Sequence, residues 1–372
     1  MSKWDMVAFD EAINDVTKFA TKIKKEDYLP NGQYQIIDQG KEYLAGYANN
    51  LKGLYVDVPV IVFGDHTRIL KYIDEPLFIG ADGVKLLKTK GNNLNTKFVY
   101  YYLTSCRVID TGYNRHFKWL KEFNIPLPPL PTQQKIADVL DRASALIEKR
   151  RSHIAKLDLL VKSRFVEMFG DPVRNPMGWE VRQINKFATV RIGPFGSLLH
   201  AEDYIEGGFP IVNPSHIIDS KIVTDSKLTL TSEKYNELSA YALRCGDVVL
   251  GRRGEIGRCA VIEDDDYLCG TGSMFIRIER DYLPMILQRV ISSDAMRRVL
   301  EDKAVGITML NLNSNMISNL NVIVPPLHLQ TQFADFVRAV DKSKAEMQAG
   351  LERLELLYRS LMQKCFNQEI FN

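Results

Sequence analysis

At 372 residues the chain exceeds one ordinary hydrophobic core, so two or more domains are expected. A composition that is 45% hydrophobic, 25% charged and 10% aromatic excludes a disordered or fibrous protein. The net charge of +2 is too small to mark the whole surface as nucleic-acid binding, so any such surface must be local.

The opening Met-Ser-Lys-Trp-Asp-Met lacks the apolar run of a signal peptide, and no stretch approaches the ~18 apolar residues of a membrane span. A cytoplasmic location and no membrane partner are expected. Cys106, Cys245, Cys259, Cys269 and Cys365 are scattered and form no C-x-x-C pair, which argues against a zinc site and a disulfide framework. They read as buried thiols.

Residues 1 to about 124 mix signals. A helical pattern spans Phe9 to Ile23, strand-like runs occupy residues 34–37, 58–63 and 77–79, and a helix is expected over Asn95 to Ser105 behind an Asn cap. This is an α+β segment. Prolines at 126, 128, 129 and 131 then bar a helix until Thr132, placed as its cap. From Gln133, the residues Ile136, Val139, Leu140, Ala143, Leu146, Ile147, Ile154, Leu157, Leu160, Val161, Phe165 and Met168 form an apolar stripe along one helix. Lys149, Arg150 and Arg151 interrupt it, marking a bend, a gap in the partner or a basic contact. Gly170-Asp171-Pro172 stops it.

Trp179-Glu180 echoes Trp4-Asp5 and opens a second α+β segment, with strands expected at residues 209–212, 247–250, 259–262 and 274–278 between glycine turns. A second long helix carries Phe333, Val337, Val340, Met347, Leu351, Leu354, Tyr358, Leu361 and Cys365, a heptad stripe broken only at Lys344.

The two helical stretches are copies. Pro128, Pro129, Leu130, Gln133, Ala137, Leu157, Leu160 and Phe169 match Pro325, Pro326, Leu327, Gln330, Ala334, Leu354, Leu357 and Phe366 at a constant offset of 197. The same offset places Leu120, Phe123 and Ile125 on Ile317, Leu320 and Val322. The expected fold class is α+β, with two recognition domains in a pseudo-twofold repeat separated by two long antiparallel coiled-coil helices. The domains are residues 1–125, 126–172, 173–321 and 322–372. Each helix, counted from Gln133, would be about 55 Å long at roughly 1.5 Å per residue. Two different heads on one spacer would read two targets at a fixed separation, as dimeric DNA readers do.

These residues resemble the specificity subunit of Type I restriction-modification systems over essentially the whole chain. The resemblance rests on Pro128-Pro129-Leu130 with Gln133-Gln134-Lys135-Ile136-Ala137, on Phe169-Gly170-Asp171-Pro172 with Asn175-Pro176 and Gly178-Trp179, and on Pro325-Pro326-Leu327 with Gln330. Within the heads, residues 63–68, 80–83, 113–116, 193–197, 246–249 and 251–257 are similar to that family's target-recognition domains. The resemblance implies a non-catalytic subunit that reads a split duplex DNA sequence and recruits two methyltransferase subunits and, through them, restriction/translocase subunits. It implies no cofactor on this chain, with S-adenosylmethionine in the methyltransferase partners. The Lys/Arg cluster at 149–151 has no counterpart in the second helix.

Candidate DNA contacts follow the turns. In the first head they are Asp65, His66, Thr67 and Arg68, with Arg115, His116 and Lys118 before the helix; in the second, Ser197, His200, Ser215, His216, Arg252, Arg253, Asn311 and Asn313. Arginine suits guanine O6/N7 or phosphate and asparagine suits adenine, while glycines around Arg252 and Arg253 let backbone approach phosphate. Each has a plainer alternative: an Asp65–Arg68 pair bracing its turn, solvated arginines on a hairpin, or Asn311 and Asn313 as caps. Two other functions stay open, a compact DNA-modifying enzyme and a dimerisation rod whose heads bind protein. The enzyme lacks a glycine loop for S-adenosylmethionine, and Asn213-Pro214-Ser215-His216 lacks the second proline and the aromatic of an adenine-methyltransferase motif.

Overall fold

The computed structural model describes residues 4–80, 83–112, 114–254, 256–304 and 311–371. Ala81, Asp82, Tyr113 and Glu255, part of the resemblance above, lie outside them. Two compact units result, Met1–His153 with Met347–Asn372, and Ile154–Glu346. Each joins one head to half of both long helices.

In the first unit a four-stranded antiparallel sheet has the order Ile13–Asp15, Val84–Thr89, Val60–Gly64, Leu70–Ile73. Beside it a three-stranded sheet has the order Gly46–Ala48, Tyr34–Ile37, Leu77–Ile79, the last pair parallel. The second unit repeats both. Its sheets run Ala188–Ile192, Ser273–Ile278, Val248–Gly251, Cys259–Val261, and Thr229–Leu230, Phe209–Val212, Leu268–Cys269, again with a parallel last pair. The heads share little sequence yet one topology.

The expected strands appear within one or two residues. Asn95 caps helix Thr96–Ser105, its side chain accepting from the backbone N–H of Lys97 and Phe98. The helix expected at Phe9 to Ile23 shrinks to Phe9–Ala12, because the next residues pair as an edge strand with Thr89 to Leu87. The Trp4-Asp5 and Trp179-Glu180 echo lies at matching strands: Met6–Val7 pairs with Ile125–Pro126, and Glu180–Gln183 with Asn321–Val324. Each head therefore begins and ends side by side, where its helix starts.

The long helices are Leu130–Phe169 and Leu327–Phe366. Thr132 is not the cap, since the helix already runs from Leu130 and Pro131 occupies its first turn, where no N–H is needed. The helix passes unbroken through Lys149 to Arg151, and Arg151 donates to Glu148 and Glu355, each at 2.6 Å. It ends at Phe169, before Gly170 at φ +74°. Among the described residues no helix is long and apolar enough to cross a membrane.

The two helices pair antiparallel in each unit. In the first, Ile136, Leu140 and Ile147 are buried with Leu351, Met362 and Cys365, while Met347, Leu354, Tyr358 and Leu361 are half-buried along the seam. In the second, Val161, Phe165 and Phe169 pack with Phe333, Val337 and Val340, flanked by Ile154 and Leu157, and Asp158 pairs with Lys344 at 2.5 Å. Leu160 departs from expectation: it is 47% exposed, and its repeat Leu357 is 64% exposed. The seam steps from 157 to 161 to 165, leaving 160 about 100° off it. Leu146 faces out similarly. Of the cysteines, Cys259, Cys269 and Cys365 are buried, but Cys106 is half-buried and Cys245 exposed.

One contact recurs where each head meets its helix. Gln133 is wholly buried; its Oε1 accepts from Asn95 N–H at 2.8 Å and its Nε2 donates to Asn93 and Pro128 carbonyls at 2.8 Å. Gln330, also wholly buried, accepts from Leu283 N–H at 2.8 Å and donates to Pro325 O at 2.7 Å and Asp281 O at 3.5 Å. Replacing either glutamine by alanine strands a buried backbone N–H and a proline carbonyl. We expect Gln133→Ala and Gln330→Ala each to cost about 1–3 kcal/mol in urea unfolding, and the exposed Gln134→Ala less than about 0.5 kcal/mol; equal effects at all three would remove the glutamines from this role.

Candidate nucleic-acid interface

In each head the loops converge at one end of the sheets. In the first, Gly64 ends a central strand and the chain turns through Asp65 to Arg68, closed by Arg68 N–H donating to Gly64 O at 2.7 Å. Asp65 N–H donates to Gly83 O at 2.7 Å, and Asp65 O accepts from His116 N–H at 2.8 Å. In the second, Arg252 N–H donates to Gly272 O at 3.0 Å, and Arg252 O accepts from Leu312 N–H at 2.9 Å. Asp65 and Arg252 thus fill one slot in a common backbone frame. The loops are held close by glycine. A Cβ on Gly83, at φ +85°, would lie 2.8 Å from the His66 ring, and one on Gly270 would lie 2.1 Å from Asn213 Oδ1.

Several expected contacts are spent inside the frame. Asp65 is buried, and its Oδ1 accepts from Phe117 N–H at 2.7 Å, capping helix Phe117–Leu120. His116 is wholly buried, its ring nitrogens facing Asp65 O at 3.0 Å and Thr111 at 3.4 Å. His216 is buried with Nδ1 2.7 Å from Ile211 O. Burial leaves these three little side-chain surface for a ligand; they shape the loops. Asn313 caps helix Ser314–Ser318 by accepting from Met316 N–H at 2.9 Å. Arg68 pairs at 2.5 Å with Asp110 and not with Asp65.

The remaining residues stand at the surface. Thr67 is exposed, its hydroxyl donating to Gln39 O at 2.7 Å, and His66 Nδ1 lies 3.1 Å from Asn114 O. Arg115 and Lys118 are exposed, the Lys118 ammonium 4.1 Å from the Trp119 ring centroid. Ser197, His200 and Ser215 are exposed; Ser197 and His200 lie along the loop whose first residue, Gly193, presses against Gly270, and Ser215 sits on turn Pro214–His216. Arg253 is exposed, its backbone bridged to Asn311, while half-buried Arg252 donates from Nε to Asn311 Oδ1 at 3.3 Å. Burial and the adjacent Arg253 both pull the Arg252 guanidinium below the usual arginine value.

Two residues escaped the sequence reading. Gln39 accepts from His66 N–H at 3.2 Å and so ties the end of strand Tyr34–Ile37 to the Asp65 turn. Asp110 holds Arg68; the Arg68 guanidinium and Gly112 N–H lower its carboxyl to about 2. The signal for Gln39 was its place between a strand and Gly40. Asp110, more than forty residues from Arg68, left none.

The family described as Type I restriction modification DNA specificity domain matches residues 1–157 and 176–356. The EcoBI specificity subunit of Escherichia coli is 20% identical, over 99% of this chain and 86% of its own length. The EcoR124I/EcoR124II specificity subunit of the same organism is 26% identical over 36% of this chain and 37% of its own. In structure, the Type I restriction-modification S subunit from M. genitalium aligns with TM-score 0.57 at 16% identity, covering 98% of this chain and 96% of its own. A chain solved in a study of assembly and conformational transition of the type I R-M system gives TM-score 0.59 at 15% identity, covering 98% of both. The chain belongs to the Type I restriction-modification specificity subunits, the DNA-recognising members of those systems.

The Asp110 pair has a pH consequence. A carboxyl depressed in the fold keeps its pair at neutral pH and loses it only as pH falls from about 4 toward 2. Asp110→Asn frees Arg68 at neutral pH, so affinity for random duplex DNA should rise and the slope of log K against log salt should steepen by about 0.9. Arg252→Ala with Arg253→Ala should flatten it. Fluorescence anisotropy across a salt series reads both, and unchanged slopes would take these arginines out of phosphate contact.

Proposed function

We propose that the chain reads a bipartite duplex DNA target, one half with each head, and that its paired helices set the distance between the halves. The observation that carries this reading is the common backbone frame presenting different side chains: His66 and Arg115 in one head against Arg252, Arg253 and Asn311 in the other. One scaffold with two side-chain sets is what two different half-sites require. Each helix has 40 residues and so measures about 60 Å at roughly 1.5 Å per residue, a length suited to a spacer, and the first runs unbroken from one head to the next in sequence. The exposed Thr67, Arg115, Lys118, Ser197, His200, Ser215 and Arg253, with the half-buried Arg68 and Arg252, are the proposed contact set. The half-buried Arg252 gains most from phosphate, because an anion offsets both its burial and the repulsion of Arg253.

On this reading the chain is not itself an enzyme. Catalysis and S-adenosylmethionine belong to two methyltransferase subunits that it recruits, restriction/translocase subunits join through them, and the complex works in the cytoplasm. The repeat supports two equal partners. Leu159 and Leu160 are exposed on the first helix, and Leu356 and Leu357, at the offset of 197, are exposed on the second. Side chains off the seam yet repeated in both copies fit two copies of one apolar partner helix.

Methylome sequencing of a host expressing this chain with its methyltransferase should show a split motif. Exchanging residues 175–321 for another family member's second head should alter one half and leave the other half and the spacing; alteration of both halves would contradict the two-head reading. Burial stabilises a leucine by about 1.5–3 kcal/mol, so Leu159→Ser with Leu160→Ser, or Leu356→Ser with Leu357→Ser, should weaken methyltransferase capture about tenfold or more while DNA affinity of the isolated chain stays put. Full capture by both double variants would place the partner elsewhere.

A further inference from the structure

Inside the second unit, between the two long helices and the hairpin Cys259–Val261 with its flanking helices, lies a cavity of about 790 Å³ that the reading loops do not use. Six basic side chains and four carboxylates line it. Arg289, on helix Pro284–Ser292, forms one wall, and its Nε is one of two buried side-chain atoms without a hydrogen-bond partner among the described residues. Arg297, from the following helix, is exposed and lies over Gly257, 3.1 Å from where a Cβ would stand. Neither arginine has a carboxylate within ion-pair distance among the described residues. The lining acids do not fill that role: Asp158 is taken by Lys344, and Asp341 acts on Arg289 only through space.

The first head shows what a closed version looks like. Gln133 holds Asn95 N–H and Gln330 holds Leu283 N–H, so the residue six positions on is Tyr101 in one head and Arg289 in the other. Tyr101 donates its hydroxyl to Asp141 at 2.5 Å, and Lys97 closes on the same carboxylate at 2.7 Å. At the matching place the second head keeps a cation that has no ion pair among the described residues, with Asp341 and Asp158 acting on it only from a distance, beside open volume. Arg289 is half-buried, and an Nε–H shut off from water is costly unless an acceptor meets it; burial already pulls Arg289 below the usual arginine value.

We propose that this cavity is a phosphate site, in which Arg289 and Arg297 hold a phosphate group and Lys162 and Lys221 supply further charge. Two sources carry that group, the backbone of duplex DNA or a free phosphorylated molecule. The hairpin loop that bears Arg252 and Arg253 also brings Gly257 and Arg258 to the cavity, with Gly251 N–H donating to Arg258 O at 3.0 Å, so the cavity adjoins the reading loop. Only the DNA source rests on the function proposed above. Because the site joins residues of both long helices to residues of the head, filling it fastens the second head to its helical support.

The test uses the full chain, its Arg289→Met and Arg297→Gln variants, and Arg298→Gln as a control on an exposed neighbour outside the lining. Thermal unfolding with sodium pyrophosphate, against sodium chloride of equal ionic strength, should raise the Tm of the natural chain and of the control but not of the two variants. Anisotropy with a random 30-base-pair duplex across a salt series should show the slope flattened by about 0.9 for each phosphate lost in the variants. A loss in the first measurement identifies a free phosphate, and a loss in the second identifies DNA; either supports the site. Should Arg289→Met fail to fold, the exposed Arg297→Gln carries the test alone. Variants matching the natural chain in both measurements, or a control that falls with them, overturn the site. If the natural chain ignores DNA while pyrophosphate still stabilises it, the site stands and the proposed function falls.

Discussion

One buried amide at the start of each long helix anchors everything else. A proline run leaves carbonyls that no neighbouring N–H satisfies, and the first turn of the head's helix leaves N–H groups in the same position. A glutamine carries one acceptor and two donor hydrogens, enough for both. Gln133 and Gln330 use that capacity on backbone alone, reaching Pro128 and Pro325 five residues back and the loop and helix start of the head ahead. The Pro-Pro-Leu-x-x-Gln spacing is therefore a joint. It fixes where a head sits on its own helix while leaving the rest of the head free to change.

That freedom is visible in the reading loops. The bonds that build them are backbone to backbone: Asp65 to Gly83 and His116 in one head, Arg252 to Gly272 and Leu312 in the other. Backbone bonds make no demand on side-chain identity, so the slot tolerates an aspartate in one copy and an arginine in the other. Where side chains do enter the frame they are short-range braces, such as Asp65 on Phe117 and Asn313 on Met316. Specificity resides in what the frame does not consume.

The repeat, the long helices and most strands were legible because each is periodic or long. The offset of 197 carries over one stretch without a gap, and residues 34–37 and 77–79 alternate or run apolar between turn residues. The misreadings share a cause, which is that burial depends on partners distant in sequence. His116 and His216 look like contact residues beside their turns, yet each ring is buried with Nδ1 against a backbone carbonyl of its own head. Leu160 fits a spacing of three from Leu157, but the partner helix selects the spacing of four to Val161. The Phe9 to Ile23 pattern is helical by count, whereas the edge of a sheet more than seventy residues away claims its middle. The common topology of the two heads was invisible for the same reason, since it lives in backbone pairing and not in residue type.

With a net charge of only +2, the local distribution of paired and unpaired cations decides where phosphate can bind. In the first head Arg68 is neutralised by Asp110 and Lys85 by Asp15, so the turn itself offers phosphate little, and the exposed Arg115 and Lys118 before the helix carry that head's available charge. In the second head Arg252 and Arg253 are adjacent, and among the described residues neither has a carboxylate within ion-pair distance; Arg252 relies on the neutral Asn311. Salt-dependent affinity comes from cations that can displace condensed counterions, and a cation already paired within the protein contributes little of it. The same frame thus holds a charge-compensated loop in one copy and an uncompensated one in the other. Binding strength should be drawn unequally from these two loops even where discrimination between bases is shared, because hydrogen bonds to base edges do not depend on net charge.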